Sequence, residues 1–212
     1  MRKITQFGDL LLQEYDSKLD EDGKYYVNVM SNSAYRMSRL IRGLLDYSTA
    51  SNHEIELEEV SLSELLSDIV ADHEVMIDDA KGAVEVGELP LIHADRFMAS
   101  SLFGNIVSNG LKYRDAHRAP IVKVISTEVD GAYEITVSDN GVGFDNRQCD
   151  KIFEPFARLH KRSDFDGSGI GLAICRSVCD RHGWSMRAIS EIGSRSAFTA
   201  RIPIPAESGK EL

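Results

Sequence analysis

The chain has 212 residues, 42% hydrophobic and 27% charged, enough for one sizeable core with a smaller element or for two modest domains. No long apolar run or signal peptide is visible, and three cysteines (Cys149, Cys175, Cys179) suit a reducing cytosol better than a disulfide framework, so a cytoplasmic chain without a membrane segment is expected. The net charge of −10 is concentrated: residues 54–90 hold twelve acids and one base, whereas residues 1–53 are balanced and residues 91–212 are net +1, a distribution that disfavours nucleic acid as a partner.

In chain order, Ile4, Phe7, Leu10 and Leu11 mark one face of an amphipathic helix, and Asp20-Glu21-Asp22-Gly23-Lys24 reads as a polar turn. The next segment places Tyr26, Met30, Ser33, Met37, Leu40, Leu44 and Tyr47 at alternating spacings of four and three, the seam of a bundled helix. Residues 1–50 are thus expected to form a helical hairpin. Two helices bury little alone, so the hairpin reads as half of a dimeric four-helix bundle; packing on the chain's own C-terminal domain is the alternative.

Residues 48–53 read as a linker, and a second domain is expected over 54–205. Residues 56–60 are a candidate strand. Ser61 caps a helix to about Asp79, with Glu64 in the capping-box position. Short extended pieces follow near 84–86 and 91–92, and Asp95 caps a helix from Arg96 to about Tyr113. Residues 121–129 and 132–138 alternate around Asp130-Gly131, a hairpin signal. A glycine-rich loop covers roughly 140–168, a helix over 170–182 stops at Gly183, residues 186–190 and 197–204 form a last strand pair, and the tail 207–212 is expected to be disordered. The fold class is α+β: the hairpin, then a two-layer α/β sandwich with helices on one face of a mixed sheet.

Four clusters in the second domain carry chemistry. Asn105, Asn109 and Lys112 stand at i, i+4 and i+7 on one helix face, followed by Tyr113. Two amide oxygens and a cation suit a Mg²⁺–triphosphate, although a solvated polar face produces the same spacing. Asp139-Asn140-Gly141-Val142-Gly143 follows a strand; a carboxylate there is able to hold an exocyclic amine, while an ordinary turn has the same composition. The run from Lys151 through Phe153, Pro155, Phe156, Arg158, His160, Lys161 and Arg162 mixes aromatics and cations, as a lid does, or a surface loop with an apolar anchor. Gly167-Ser168-Gly169-Ile170-Gly171-Leu172 opens a helix, where backbone amides favour anions. Its spacing is neither a Rossmann fingerprint nor a Walker loop.

Together and in this order, the clusters resemble the Bergerat ATP-binding fold shared by gyrase, Hsp90, MutL and histidine kinases. The Phe153-Glu154-Pro155-Phe156 lid and the run Leu111-Lys112-Tyr113-Arg114-Asp115 are similar to the histidine-kinase branch, especially the kinases that follow phytochromes and related soluble sensors. The hairpin's second segment resembles that branch's second dimerisation helix, and Gly193-Ser194-Arg195-Ser196-Ala197-Phe198 its terminal glycine–serine turn. The resemblance implies that Asn105 and Asn109 meet Mg²⁺ and phosphate, Lys112 meets phosphate, and Tyr113 lies beside the nucleotide. It implies that Asp139 holds the adenine amine, Gly141 and Gly143 shape that pocket, and Phe153 and Arg158 belong to the lid. Gly167, Ser168, Gly169, Gly171 and Leu172 would border the phosphates. The implied cofactors are ATP and Mg²⁺, the partners a second copy and a response-regulator receiver domain, and the activity phosphoryl transfer to a histidine. The alternatives are a degenerate kinase serving as an ATP-binding dimerisation module, or a serine kinase or ATPase of the same superfamily.

One departure matters. Members of the branch carry a phospho-acceptor histidine on the first helix in a run like H-D-L-x-E-P-L-R, and Met1-Arg2-Lys3-Ile4 stands where that run would just have ended. Truncation is the expected reason, with a natural fragment or a degenerate kinase as the alternatives. None of the six histidines replaces it: His53 is in the linker, His73 on a helix away from the seam, His93 before a cap, His117 in a loop, His160 in the lid and His182 at a helix end. Cys175, Cys179 and His182 share a helix face but offer no fourth metal ligand, and read as buried small residues.

Overall fold

The computed structural model describes residues 2–159, 165 and 167–205, so the lid positions His160, Lys161 and Arg162 and the tail 207–212 lie outside the described residues. The chain divides into two compact units, Met1–Ser48 and Thr49–Leu212.

In the first unit, α1 (Arg2–Glu14) and α2 (Glu21–Asn52, whose last turn belongs to the second unit) are joined by a 3₁₀ turn at Asp16–Lys18. The turn comes earlier than the polar run 20–24 suggests, because Asp20 caps α2: its carboxylate accepts the Gly23 amide at 2.8 Å. Lys24, one turn into α2, pairs with Asp16 at 2.8 Å. The face of α2 turned to α1 carries small residues: a Cβ on Gly8 would collide with Ser31 Oγ, and Ala34 is buried. The seam residues Tyr26, Met30, Met37, Leu40 and Leu44 point elsewhere and are exposed, Met30 at 62% and Leu44 at 53%.

The second unit is a five-stranded mixed sheet covered on one face by helices. β1 (Glu58–Ser61) pairs antiparallel with β3 (Leu91–Ala94) as a separate ribbon. Ser61 Oγ accepts the Glu64 amide and starts α3 (Leu62–Asp72). The single helix expected to about Asp79 is broken at His73, which has left helical geometry (φ −106°, ψ 7°) while its ring Nδ1 bonds the Ile69 carbonyl at 2.8 Å; α4 (Glu74–Ala80) follows. β2 (Ala83–Val86) lies parallel to β4 (Ile121–Val129), and β4, β5 (Ala132–Asp139), β7 (Arg195–Pro203) and β6 (Ser185–Glu191) continue antiparallel, giving the order β2-β4-β5-β7-β6. Asp130 and Gly131 both have positive φ (48° and 67°), the two-residue turn their pairing signals.

The strand alternation fixes the layers. Val122, Val124, Ile135, Val137, Phe198 and Ala200 are buried under α3, α5 (Arg96–Lys112) and α6 (Gly171–His182). The opposite face carries Glu134 between Arg187 and Arg201, and Thr136 bonded to Thr199 at 3.0 Å. Gly110 lets α5 settle onto the sheet: a Cβ there would stand 2.7 Å from Val122 Cγ2 and 3.2 Å from Asp139 Cβ. Cys175 and Cys179 are buried in α6, and burial pushes the Cys179 thiol up to about 12. Among the described residues, no helix is long and apolar enough to cross a membrane.

Candidate functional site

A cleft of about 550 Å³, counting its open mouth, lies beside the C-terminal half of α5 and the start of α6. Of the expected site residues, Asn109, Tyr113, Asp139, Gly143, Arg158 and Leu172 line it. Phe144, Ile152, Ala157, Leu159, Ser196 and Phe198 line it as well, none of them given a site role from the sequence.

Asp139 ends β5 on the helix-covered side. Its carboxylate accepts the Gly141 amide at 2.8 Å and a backbone hydrogen bond from Ser196, its register partner on β7. Burial pushes the carboxyl up to about 6, the two amides pulling the other way. These bonds leave acceptor capacity on the two oxygens. Asn140 is structural: its Oδ1 accepts the Ile121 amide at 2.8 Å and its Nδ2 donates to the Ala119 carbonyl at 3.0 Å, tying the end of β5 to the start of β4. Gly141 is required because a Cβ would collide with the Tyr113 carbonyl, which accepts the Val142 amide at 2.9 Å. Gly143 has φ 61° and passes so close to the Glu191 carbonyl that a side chain would not fit.

The phosphate-type motifs meet from opposite sides. Gly171, the first residue of α6, lies against Asn105: a Cβ on it would stand 2.6 Å from Asn105 Oδ1. Asn105 Nδ2 donates to the Ser101 carbonyl of its own helix at 2.7 Å, which leaves the amide oxygen toward Gly171. Gly167 lies against Lys112 Nζ, which donates to the Tyr113 hydroxyl at 2.9 Å. Gly169, at φ 75°, packs against the backbone of Phe156 and Ala157. Ile170 opens α6 without a side-chain cap, and its amide donates to Ser168 Oγ at 3.4 Å; among the described residues no side chain caps the first turn of α6.

Two residues of the expected lid make contacts within the protein. Phe153 is buried beneath the Arg176 guanidinium, 4.7 Å from the ring centre, and anchors the loop instead of lining the cleft; its neighbour Ile152 lines it. Arg158 spends its guanidinium on the carbonyls of Gly167 and Phe165 (2.7 Å to the latter), clasping the two ends of the loop. The Phe165 ring sits 5.1 Å from that of Tyr113. The sequence signal for Ser196 and Phe198 was their place in the terminal glycine–serine turn. Nothing local marks Ile152 or Leu159.

Two antiparallel helices laid on a mixed sheet, with a buried acid at a strand end and glycines threaded against helix-borne amides, define a Bergerat-type nucleotide fold. Residues 94–206, just over half of the chain, match the family of histidine kinase-, DNA gyrase B- and HSP90-like ATPases, and the chain belongs to that family, as a histidine-kinase core. Over 204 residues, 96% of its length, it is 29% identical to the phytochrome-like protein Cph1 of Synechocystis, of which it spans 27%. Full-length ShkA, solved in complex with AMPPNP, superposes over 94% of this chain and 42% of its own, with a TM-score of 0.68 and 22% identity. The histidine kinase ThkA, solved with the response regulator TrrA, superposes over 95% of this chain and 58% of its own, with a TM-score of 0.65 and 22% identity. The α+β class, the helical hairpin and the sandwich are those of histidine-kinase cores.

Proposed function

We propose that the chain binds Mg-ATP in this cleft and serves as the catalytic core of a sensor histidine kinase, passing the γ-phosphoryl group to a histidine in two-component signalling. One observation carries the reading: segments far apart in sequence converge, Asn105 on Gly171 and Lys112 on Gly167, beside the cleft that Asp139 lines. Asp139 accepts the adenine amine. The amide oxygens of Asn105 and Asn109 fit Mg²⁺, which takes oxygen ligands and keeps several waters. Lys112 and the first turn of α6 neutralise phosphate. Bound Mg-ATP supplies the phosphoryl group; the protein's part is positioning and charge neutralisation.

A second copy, docked on the exposed seam of α2, completes the bundle, and a receiver domain takes the phosphoryl group onward, as the likeness to ThkA with TrrA supports. A cytoplasmic setting belongs to this reading. The second reading is an ATP-binding dimerisation module that uses the same cleft without transferring phosphate. Phosphorylation in trans of a hairpin carrying a histidine on its first helix separates the two.

Titration with a fluorescent ATP analogue tests the common core. Saturable binding strengthened by Mg²⁺ is expected; none at millimolar nucleotide would overturn both readings. With γ-labelled ATP the chain alone should acquire no acid-labile label.

A further inference from the structure

Within the second unit, at the ends of α5 and α6 away from the cleft, a second polar cluster joins the last turn of α2 to both helices. Asp95 is 3% exposed, yet its carboxylate carries three donors: the Met98 amide at 2.9 Å, the Glu56 amide at 3.1 Å and His53 Nε2 at 3.1 Å. Burial pushes this carboxyl up, but the bonds from Met98, Glu56 and His53 outweigh it and hold it below the usual carboxylate range. A carboxylate only accepts, so His53 Nε2 bears the proton. The Asp95 amide donates to His182 Nε2 at 3.1 Å, and His182 Nδ1 lies 2.9 Å from the Val178 carbonyl, which fixes His182 as the neutral Nδ1–H tautomer. Arg181 donates to the His53 carbonyl, and the His53 amide closes on the Thr49 carbonyl at 2.8 Å, in the last turn of α2.

The placement of this cluster on the helices gives it meaning. Asp95 caps α5 at the end opposite Asn105, Asn109 and Lys112; Arg181 and His182 end α6, opposite Gly171. The two helices run side by side, Asn105 touching Gly171 at one end and Arg181 reaching Met98 at the other. At 1.5 Å of rise per residue, Asp95 and Asn109 are about 20 Å apart along α5. His53 therefore holds the distal ends of both helices whose near ends form the phosphate side of the cleft. A helix tilts as a rigid element, so a shift at its held end moves its free end.

The geometry points to His53 as a positioning residue for nucleotide binding: a strap that locks the last turn of α2 to the distal ends of α5 and α6 and thereby sets the spacing of Asn105 and Lys112 from the glycines at 167–171. The affinity part of this inference rests on the nucleotide reading above. The test compares the full chain with His53→Leu, which removes the bond and keeps bulk, and His53→Gln, whose amide N–H is able to donate to Asp95. Mg-ADP affinity and amide exchange without nucleotide are both read. His53→Leu should weaken Mg-ADP by roughly three- to tenfold, the scale of coupling between distant sites. It should also speed exchange at 105–112 and 170–174, and His53→Gln should restore both. If His53→Leu unfolds, Arg181→Met loosens the second tie and is read the same way. Unchanged exchange at these cleft-end amides, or full affinity in His53→Leu, would overturn the strap, as would failure of His53→Gln to restore exchange. Loss of Mg-ADP binding by the wild type would count against the nucleotide reading, and the exchange measurement would still decide the strap.

Discussion

In the proposed function Asp139 is held between two demands. Burial favours its neutral form and pushes the carboxyl up to about 6, while acceptance of an adenine amine requires the charged form. The signs of the two effects on pH are opposite. A carboxyl raised in the folded state from 3.8 to about 6 contributes stability that is fully present below the lower value and lost as pH rises through the upper one. Nucleotide affinity instead falls as pH drops through about 6, because the acceptor is protonated. Comparison with Asp139→Asn removes the titration of the nucleotide phosphates from the measurement. The ratio of wild-type to variant ADP affinity should shrink between pH 7.5 and 5, while the wild type gains thermal stability relative to the variant. A constant affinity ratio would mean that the carboxylate does not face the base. Asp139 was legible in the sequence because it follows an alternating strand and precedes two glycines. Asn140 was not, because its partners at Ile121 and Ala119 are brought to it by the β4–β5 pairing. Phe153 was legible as an apolar anchor in a polar loop, but its partner Arg176 was not, because α6 brings that guanidinium to it.

Elements with capping signals or one-sided patterns were legible: α5 behind Asp95, α6 up to Gly183, both hairpin helices, and the β4–β5 pair around its turn. The break at His73 was not, since the pattern of apolar residues continues through it while the ring competes for the Ile69 carbonyl. The β1–β3 ribbon and the parallel β2–β4 pair depend on partners distant in sequence, which four-residue strands do not advertise. Gly110 shows packing overriding local propensity. Alanine there would gain about 1 kcal/mol of helix propensity, but its Cβ would press on Val122 at 2.7 Å and on Asp139 at 3.2 Å. Overpacking costs about 1–3 kcal/mol, so Gly110→Ala should lower the denaturant midpoint with an unchanged slope. It should also weaken nucleotide, because Asp139 is one of the two neighbours that the methyl presses on. A more stable variant would show that α5 has room to shift.

At the scale of the whole molecule, the hairpin unit leaves Tyr26, Met30, Met37, Leu40 and Leu44 exposed along one stripe, whereas its internal contact is built on Gly8, Ser31 and Ala34. A stripe of that regularity asks for a partner. The chain should self-associate by light scattering, and Leu40→Asp with Leu44→Asp should weaken association, because burying an unpaired charge costs several kcal/mol and about 1.4 kcal/mol already makes a tenfold difference. A wild-type monomer at high concentration would count against the bundle. The proposed nucleotide chemistry is gathered in one cleft of the second unit, with the adenine contact at Asp139. Calorimetric titration of ADP and GDP into the wild type and Asp139→Asn tests it most directly. The wild type should bind ADP in preference to GDP, and the variant should lose roughly 1.5–3 kcal/mol of ADP binding, the range for hydrogen bonds to charged groups, together with the preference. A folded variant that binds ADP as tightly and as selectively as the wild type would contradict the placement of the whole nucleotide site.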